Sequence, residues 1–224
     1  MAVVPVARRI FLTGGTGYLG RRLIPLLHQR GHIVRALVRE SSQDKLPPGC
    51  EPVIGNPLES RSFSERVRGT DTLVQLVGVP KPAPWKGDQF RAVDRISGLA
   101  SIEAARQTDI RHFIYVSVAH PAPIMKEYIA VRMECETALR AAGLRHTIIR
   151  PWYILGPGHR WPLLLKPGYW ICERLASTRD SALRLGLVTI EQMLATLVWA
   201  VEHPPDSTRI IEVPDIRRVG SDVR

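Results

Sequence analysis

A chain of 224 residues with 45% hydrophobic and 23% charged content has the proportions of a soluble globular domain large enough to bury a core. No run of about 18 apolar residues exists, which excludes a membrane-spanning helix, and the apolar stretch at 10–12 is too short for a signal-peptide core. The net charge of +10 comes mostly from dispersed arginines, a field that suits a phosphate-rich ligand; no aromatic-basic module or helix-turn-helix pattern points to nucleic acid.

The first element is a short apolar strand over 9–12. A helix over 18–30 follows, with Leu19, Leu23, Leu26 and Leu27 on one side and Gly31 closing it. Strands are predicted over 33–38 and 51–54, then a short helix over 62–68 and a buried strand over 72–77. Residues 79–85 hold three prolines and read as a loop. A helix over 90–106, a strand over 112–117, a helix over 126–142 and a strand over 146–149 continue the alternation. It implies an α/β fold, a doubly wound parallel sheet of the Rossmann type with right-handed crossovers. The whole of 1–224 reads as one dinucleotide domain. Within it, 151–186, rich in Pro, Gly, Trp and Arg, and 189–213, a helix and a last strand, are expected to form a small C-terminal lobe on the substrate side.

The three cysteines, Cys50, Cys135 and Cys172, are far apart and odd in number. They offer neither a disulfide framework nor zinc spacing, so no metal site is expected, and a reducing cytoplasm is the simplest setting.

The strongest motif is Thr13-Gly14-Gly15-Thr16-Gly17-Tyr18-Leu19-Gly20. Gly14, Gly17 and Gly20 lie three apart between a predicted strand and a predicted helix. That context gives them distinct tasks: a tight turn, backbone approach to a pyrophosphate, and close helix packing. The helix N-terminus offers free N–H groups and a positive dipole end to the diphosphate. Gly14, Thr16, Gly17, Tyr18 and Leu19 are the candidate ligands of this turn.

The wording of that turn resembles the fingerprint of the short-chain dehydrogenase/reductase superfamily, in its extended and atypical branches. Ile33 to Arg39 is similar to the second strand of the NmrA-like, NAD(P)H-binding branch. Gly55-Asn56-Pro57-Leu58, Phe113 to Ser117, Leu139 to Pro151 and Val188-Thr189-Ile190-Glu191 are similar to its later segments. The resemblance implies that Asn56, Pro57 and Leu58 lie near the adenine, Val77 and Gly78 near the ribose, and Pro151 near the nicotinamide.

Arg39 and Glu40 are adjacent, so spacing alone leaves NAD(H) and NADP(H) both open. The resemblance puts Arg39 at the strand end, where a guanidinium with Ser41 beside it suits the 2′-phosphate of NADP(H), the preferred cofactor. Of the family's Tyr-X3-Lys pair and its serine, the chain offers Tyr128, Arg132 and Ser117. Arg132 keeps the charge that favours a tyrosinate but is a poorer mimic of a ribose-binding lysine. Residues 88–108 contain no asparagine. Tyr128 can equally be an ordinary tyrosine of an amphipathic helix. His120 is a substitute acid, and Trp152, Tyr153, Trp161 and Trp170 are candidate cleft linings. The resemblance thus implies an NADPH-dependent oxidoreductase acting on a small carbonyl substrate. It also admits an NADP(H) sensor that acts on a regulatory partner, or a nucleotide-sugar epimerase or dehydratase, for which the small C-terminal lobe leaves little room.

Overall fold

The computed structural model describes residues 6–158 and 179–222. In chain order the elements are β1 (Arg9–Thr13), α1 (Gly20–Gln29), β2 (Ile33–Val38), β3 (Glu51–Ile54), α2 (Ser64–Val67) and β4 (Thr72–Gln75). There follow α3 (Gly87–Gln89), a π-helical stretch (Phe90–Arg95) that runs into α4 (Ile96–Arg106), then β5 (His112–Val116), α5 (Lys126–Ala141), β6 (His146–Arg150) and β7 (Tyr153–Leu155). The chain closes with α6 (Arg179–Arg184), β8 (Leu187–Thr189), α7 (Ile190–Glu202), β9 (Thr208–Glu212) and α8 (Val213–Asp222).

Seven strands form one parallel sheet in the order β3-β2-β1-β4-β5-β6-β9. The central strands are apolar on both faces, because helices cover both. Ile10, Phe11 and Leu12 in β1 and Phe113 and Ile114 in β5 are fully buried. One face packs Leu23, Ile24 and Leu27 of α1 against Met193, Leu197 and Val201 of α7; the other packs Phe63 and Val67 against α4 and Leu139 of α5. The strand order turns outward from β1 in one direction and from β4 in the other. The crevice above their carboxyl ends is therefore the place where this architecture receives ligands.

The C-terminal region departs from the expected lobe. β9 is the seventh strand of the main sheet, beside β6, and α7 is part of the core against α1. A parallel partner for β6 covers its outer edge, and the apolar face of α7 needs α1 to be buried. The N-terminus of α7 is fixed by a capping box: Thr189 Oγ1 accepts from the Gln192 N–H at 3.2 Å, and Gln192 Oε1 accepts from the Thr189 N–H at 2.9 Å. Among the described residues, only β7 and β8 stand apart, as a two-stranded parallel ladder. Trp161 and Trp170 lie outside the described residues. Among the described residues no helix is long and apolar enough to cross a membrane, and no cluster of His, Cys, Asp and Glu could hold a metal ion.

Candidate dinucleotide and active site

β1 ends at Thr13 and α1 starts at Gly20, so the glycine turn sits at the carboxyl edge beside the β1–β4 junction. The three glycines are there for different reasons. Gly14 has φ 76°, and a Cβ on it would stand 2.9 Å from the Leu76 carbonyl carbon. A Cβ on Gly20 would overlap the Gly14 carbonyl oxygen, so α1 closes on the turn only without a side chain. Gly17 is exposed, and a Cβ on it would meet only the Gly14 oxygen at 3.1 Å. The outer side of the turn is thus open to a ligand. The backbone N–H groups of Thr16 and Leu19 meet no acceptor among the described residues. No side chain caps α1 and no carboxylate lies in its first turn, so an anion there has no internal competitor. Tyr18 lies under the Arg22 guanidinium, 4.3 Å from its ring centre, and Arg22 donates to the Tyr18 carbonyl at 2.8 Å. This cradle fits a diphosphate.

Arg39 follows β2 as an exposed side chain without a hydrogen bond or ion pair among the described residues, Glu40 included. Ser41, also exposed, opens the short 3-10 helix Glu40–Lys45 with it. Asn56 spends itself locally: its Oδ1 accepts from the Leu58 N–H at 3.1 Å and its Nδ2 donates to Glu59 at 2.8 Å. One amide hydrogen and one lone pair remain for a base edge. Pro57 and Leu58 complete the turn. Leu58 also lines an open cavity of about 420 Å³ with Arg61, Ile96 and Leu99. That cavity shares no residue with the glycine turn or with Tyr128.

On the other side of the crevice, Tyr128 and Arg132 lie one turn apart on α5, and the ring of Tyr128 packs on Phe90 with centroids 4.8 Å apart. The Arg132 guanidinium stands 5.0 Å from the centre of the Tyr128 ring. It does not reach out for a ligand. Its Nη2 donates to Asp94 at 2.5 Å, and its Nη1 donates to the Val116 carbonyl at 2.9 Å and to the Tyr115 hydroxyl at 3.4 Å. Both members of the ion pair are buried. Asp94 also accepts from the Val79 N–H at 3.0 Å, which ties the pair to the loop after β4. A Cβ on Gly78 would stand 2.6 Å from Arg132 Nη2 and 2.9 Å from Asp94 Oδ1. Gly78 is therefore small because the pair fills the space beside it. Arg132 Nε is buried and meets no hydrogen-bond partner among the described residues. With the second Nη2 hydrogen, it is left for a ligand or for the face of Tyr128.

Burial raises Asp94 above the ordinary carboxylate range, against the pull of Arg132 and of the Val79 N–H; Arg132 stays charged. Burial likewise raises Tyr128, with Arg132 opposing it, so its hydroxyl is a protonated phenol at neutral pH.

Ser117 differs from its expected role as a donor to substrate. It is buried, and its hydroxyl donates to Glu136 at 2.7 Å. Glu136 collects Arg150 through Nε at 3.0 Å and Nη2 at 2.5 Å, and Arg140 at 2.9 Å. Burial alone would raise Glu136, but the bonds from Arg150 and Ser117 leave it below the usual carboxylate range. His120 stands 3.7 Å from Glu136, and burial and Arg150 lower it, which keeps it neutral. Pro151 is buried and its carbonyl accepts from the Ala119 N–H at 2.9 Å. Trp152 packs partly on the core. Val77 stays in the loop beside Gly78.

Sequence reasoning missed Asp94 and Glu136. A signal was present. Arg132 and Glu136 share a stripe with Ile129 and Leu139, and Asp94 shares one with Phe90 and Ser97. A charge on an apolar stripe needs a buried partner.

A model of an NAD(P)H-binding family matches residues 14–160. The chain is 29% identical over 218 residues to a ceramide reductase of Caulobacter vibrioides, covering 94% of this chain and 66% of that protein. It is 29% identical over 171 residues to 4-hydroxy-2-methyl-3-oxo-4-farnesyl-3,4-dihydroquinoline-1-oxide ketoreductase of Stigmatella aurantiaca, covering 66% of this chain and 51% of that protein. The chain thus spans from about half to just under two-thirds of these relatives' lengths. Among solved structures, UDP-N-acetylglucosamine 4-epimerase from Bacillus cereus superposes with a TM-score of 0.68 at 16% identity, over 97% of this chain and 83% of that one. The glycine cradle, the strand order and the matched span agree: the chain belongs to the NAD(P)H-binding family and has the fold of the short-chain dehydrogenases/reductases.

Proposed function

We propose that the protein is an NADPH-dependent reductase of a carbonyl group on a small, largely apolar substrate. One observation carries the reading: Tyr128 is held as a phenol beside a fixed cation, at the same sheet edge as the dinucleotide cradle. A protonated phenol suits reduction, in which the oxygen of the carbonyl gains a proton; oxidation of an alcohol would need the tyrosinate. A bound nicotinamide dinucleotide supplies the hydride. Thr16 and Leu19 hold its diphosphate through backbone N–H groups, with Gly17 leaving room for its approach, and Arg39 with Ser41 holds a 2′-phosphate. Tyr128 delivers the proton from its Oη. Arg132 stabilises the negative charge that then develops on that oxygen, and Asp94 keeps the guanidinium in place. Ser117, committed to Glu136, stiffens the end of β5 instead of meeting substrate. The two reductase-named relatives support the reaction class.

The second reading is an NADP(H)-responsive binding protein. It is favoured by Asp94, which offsets the charge of Arg132 and weakens its pull on Tyr128. NADPH consumption with a panel of ketones and aldehydes separates the two. Tyr128→Phe should lower the rate by about 10²–10⁴-fold with NADPH affinity retained. Full activity in that variant would remove Tyr128 from the reaction, and no turnover in either protein would leave the binding reading.

A further inference from the structure

Two loops at the carboxyl edge carry a surface that the cofactor cradle and Tyr128 leave unexplained. They are residues 79–87, after β4, and 119–126, after β5. The helical turn Pro84–Lys86 packs on the start of α5, and a Cβ on Gly87 would lie 3.4 Å from Glu127 Cγ, so the loops form one rim. Trp85 stands on it 83% exposed, and Ile124 56% exposed. Large apolar side chains grouped this way mark an interaction surface. The backbone presents them at a cost. Among the described residues, the only non-glycine positions with positive φ are Lys81 (50°) and Met125 (62°), one in each loop. Strain of this kind collects where a surface must keep a set shape. Pro80, Pro82 and Pro84 in one loop and Pro121 and Pro123 in the other limit the entropy lost in holding it.

The charge is equally uneven. The chain has five lysines, and three of them, Lys81, Lys86 and Lys126, are on this rim. None pairs with a carboxylate among the described residues; Lys86 donates only to the Pro80 carbonyl, at 2.8 Å. The rim's carboxylates, Asp88 and Glu127, are both taken by Arg91. An exposed indole on a rim with three lysines that meet no carboxylate matches the interfacial layer of an anionic bilayer, where tryptophan sits at headgroup depth and lysines meet phosphates.

We propose that this rim docks peripherally on an anionic phospholipid surface, with Trp85 and Ile124 entering the headgroup layer and Lys81, Lys86 and Lys126 contacting lipid phosphates, so that an apolar carbonyl substrate held in the membrane reaches the cleft beside it. The substrate half of this statement rests on the reductase reading; the docking half stands on the surface alone. No spanning helix is required for such docking.

The test is flotation of the full chain, with NADPH present, on phosphatidylcholine vesicles and on vesicles of phosphatidylcholine mixed with phosphatidylglycerol. Binding should appear on the mixed vesicles. The pair Lys81→Glu and Lys86→Glu should weaken it at least about 30-fold, and Trp85→Ala on the order of 10-fold. The control pair Arg111→Glu and Arg145→Glu changes the net charge equally but lies on exposed positions just before β5 and β6, at the opposite edge. It should retain binding. NADPH titration of each variant reports its fold. Absence of binding to mixed vesicles overturns the proposal. So does an equal loss in the control pair, which would mean attraction by overall charge, and so does full binding by Trp85→Ala. An acidic protein partner would show as a soluble complex lost in the rim variants without vesicle binding, which also overturns it. Docking without turnover on any carbonyl would remove the reductase reading and keep the docking. Turnover on a soluble ketone without docking would do the reverse.

Discussion

The glycine turn and the Tyr128 side of the crevice stand at the same edge of one sheet, but they are made of different materials. The turn is backbone: the spaced glycines Gly14, Gly17 and Gly20, free N–H groups and a helix end, all within Thr13–Gly20. The Tyr128 side is side chains: Asp94 on Arg132, and Ser117, Arg140 and Arg150 on Glu136, pairs that mostly join different elements up to 38 residues apart. The first region can bind with little effect on stability, because its open face does not hold the fold together. In the second, binding chemistry and folding share the same charges.

That contrast can be broken first at the ion pair. Arg132→Met leaves Asp94 buried without its partner and should cost about 3–5 kcal/mol, seen as a fall in Tm of roughly 10 °C. Adding Asp94→Leu should recover most of the loss, because removing both charges removes the desolvation cost as well. Recovery in the double variant with no carbonyl reduction would place the pair in the function. An unchanged Tm in the single variant would refute the account of a shared charge.

On the backbone side, Gly17→Val puts a side chain on the open face of the turn. It should weaken NADPH binding at least about 100-fold, the loss of two charge-assisted N–H bonds, while circular dichroism and Tm stay as in the parent. A folded variant with unchanged affinity by calorimetry would place the diphosphate elsewhere.

A smaller effect sharpens the comparison within the cofactor site. Arg39 has no side-chain partner among the described residues, so Arg39→Ala should leave stability alone and cost about 1–3 kcal/mol of NADPH affinity, with little change for NADH. Equal losses for the two cofactors would detach Arg39 from the 2′-phosphate.

A pH-dependent effect belongs to the opposite edge. His112 is buried, with Nε2 2.9 Å from Thr147 Oγ1, and burial together with Arg8, Arg209 and His146 lowers its pKa to about 3. In the unfolded chain it titrates near 6.5, so there it binds a proton that the folded state refuses. Its contribution is complete above pH 6.5 and is lost as pH falls towards 3, by at most about 1.4 kcal/mol per pH unit. Chemical denaturation of the parent and of His112→Gln across that range should show a shallower slope in the variant. Parallel slopes would mean that His112 is protonated in the folded state.

Much of this molecule could be read from local patterns. The alternation of short apolar runs with amphipathic helices, closed by Gly31, Gly69 and Gly143, gave the order of elements up to β6. The spacing of Gly14, Gly17 and Gly20 gave the cradle, because each of those glycines meets only atoms of its own turn, its own helix or the adjoining strand end. The C-terminal part was harder. β9 is a short strand whose place in the sheet depends on β6, some sixty residues earlier, and nothing in residues 208–212 reports that neighbour.

What the sequence determined by itself, then, is the parallel α/β fold and the dinucleotide turn, since both follow from periodicity and from backbone freedom at named glycines. The tertiary structure decided the use of the charged residues. Arg132 looked like a cation offered to a ligand, and Ser117 like a hydroxyl offered to a substrate. Folding gave the one to Asp94 and the other to Glu136. The reason is electrostatic: a charge carried into the interior must find its counter-charge there. Which counter-charge it finds depends on how helices pack across a sheet, and neither the residue type nor its spacing records that.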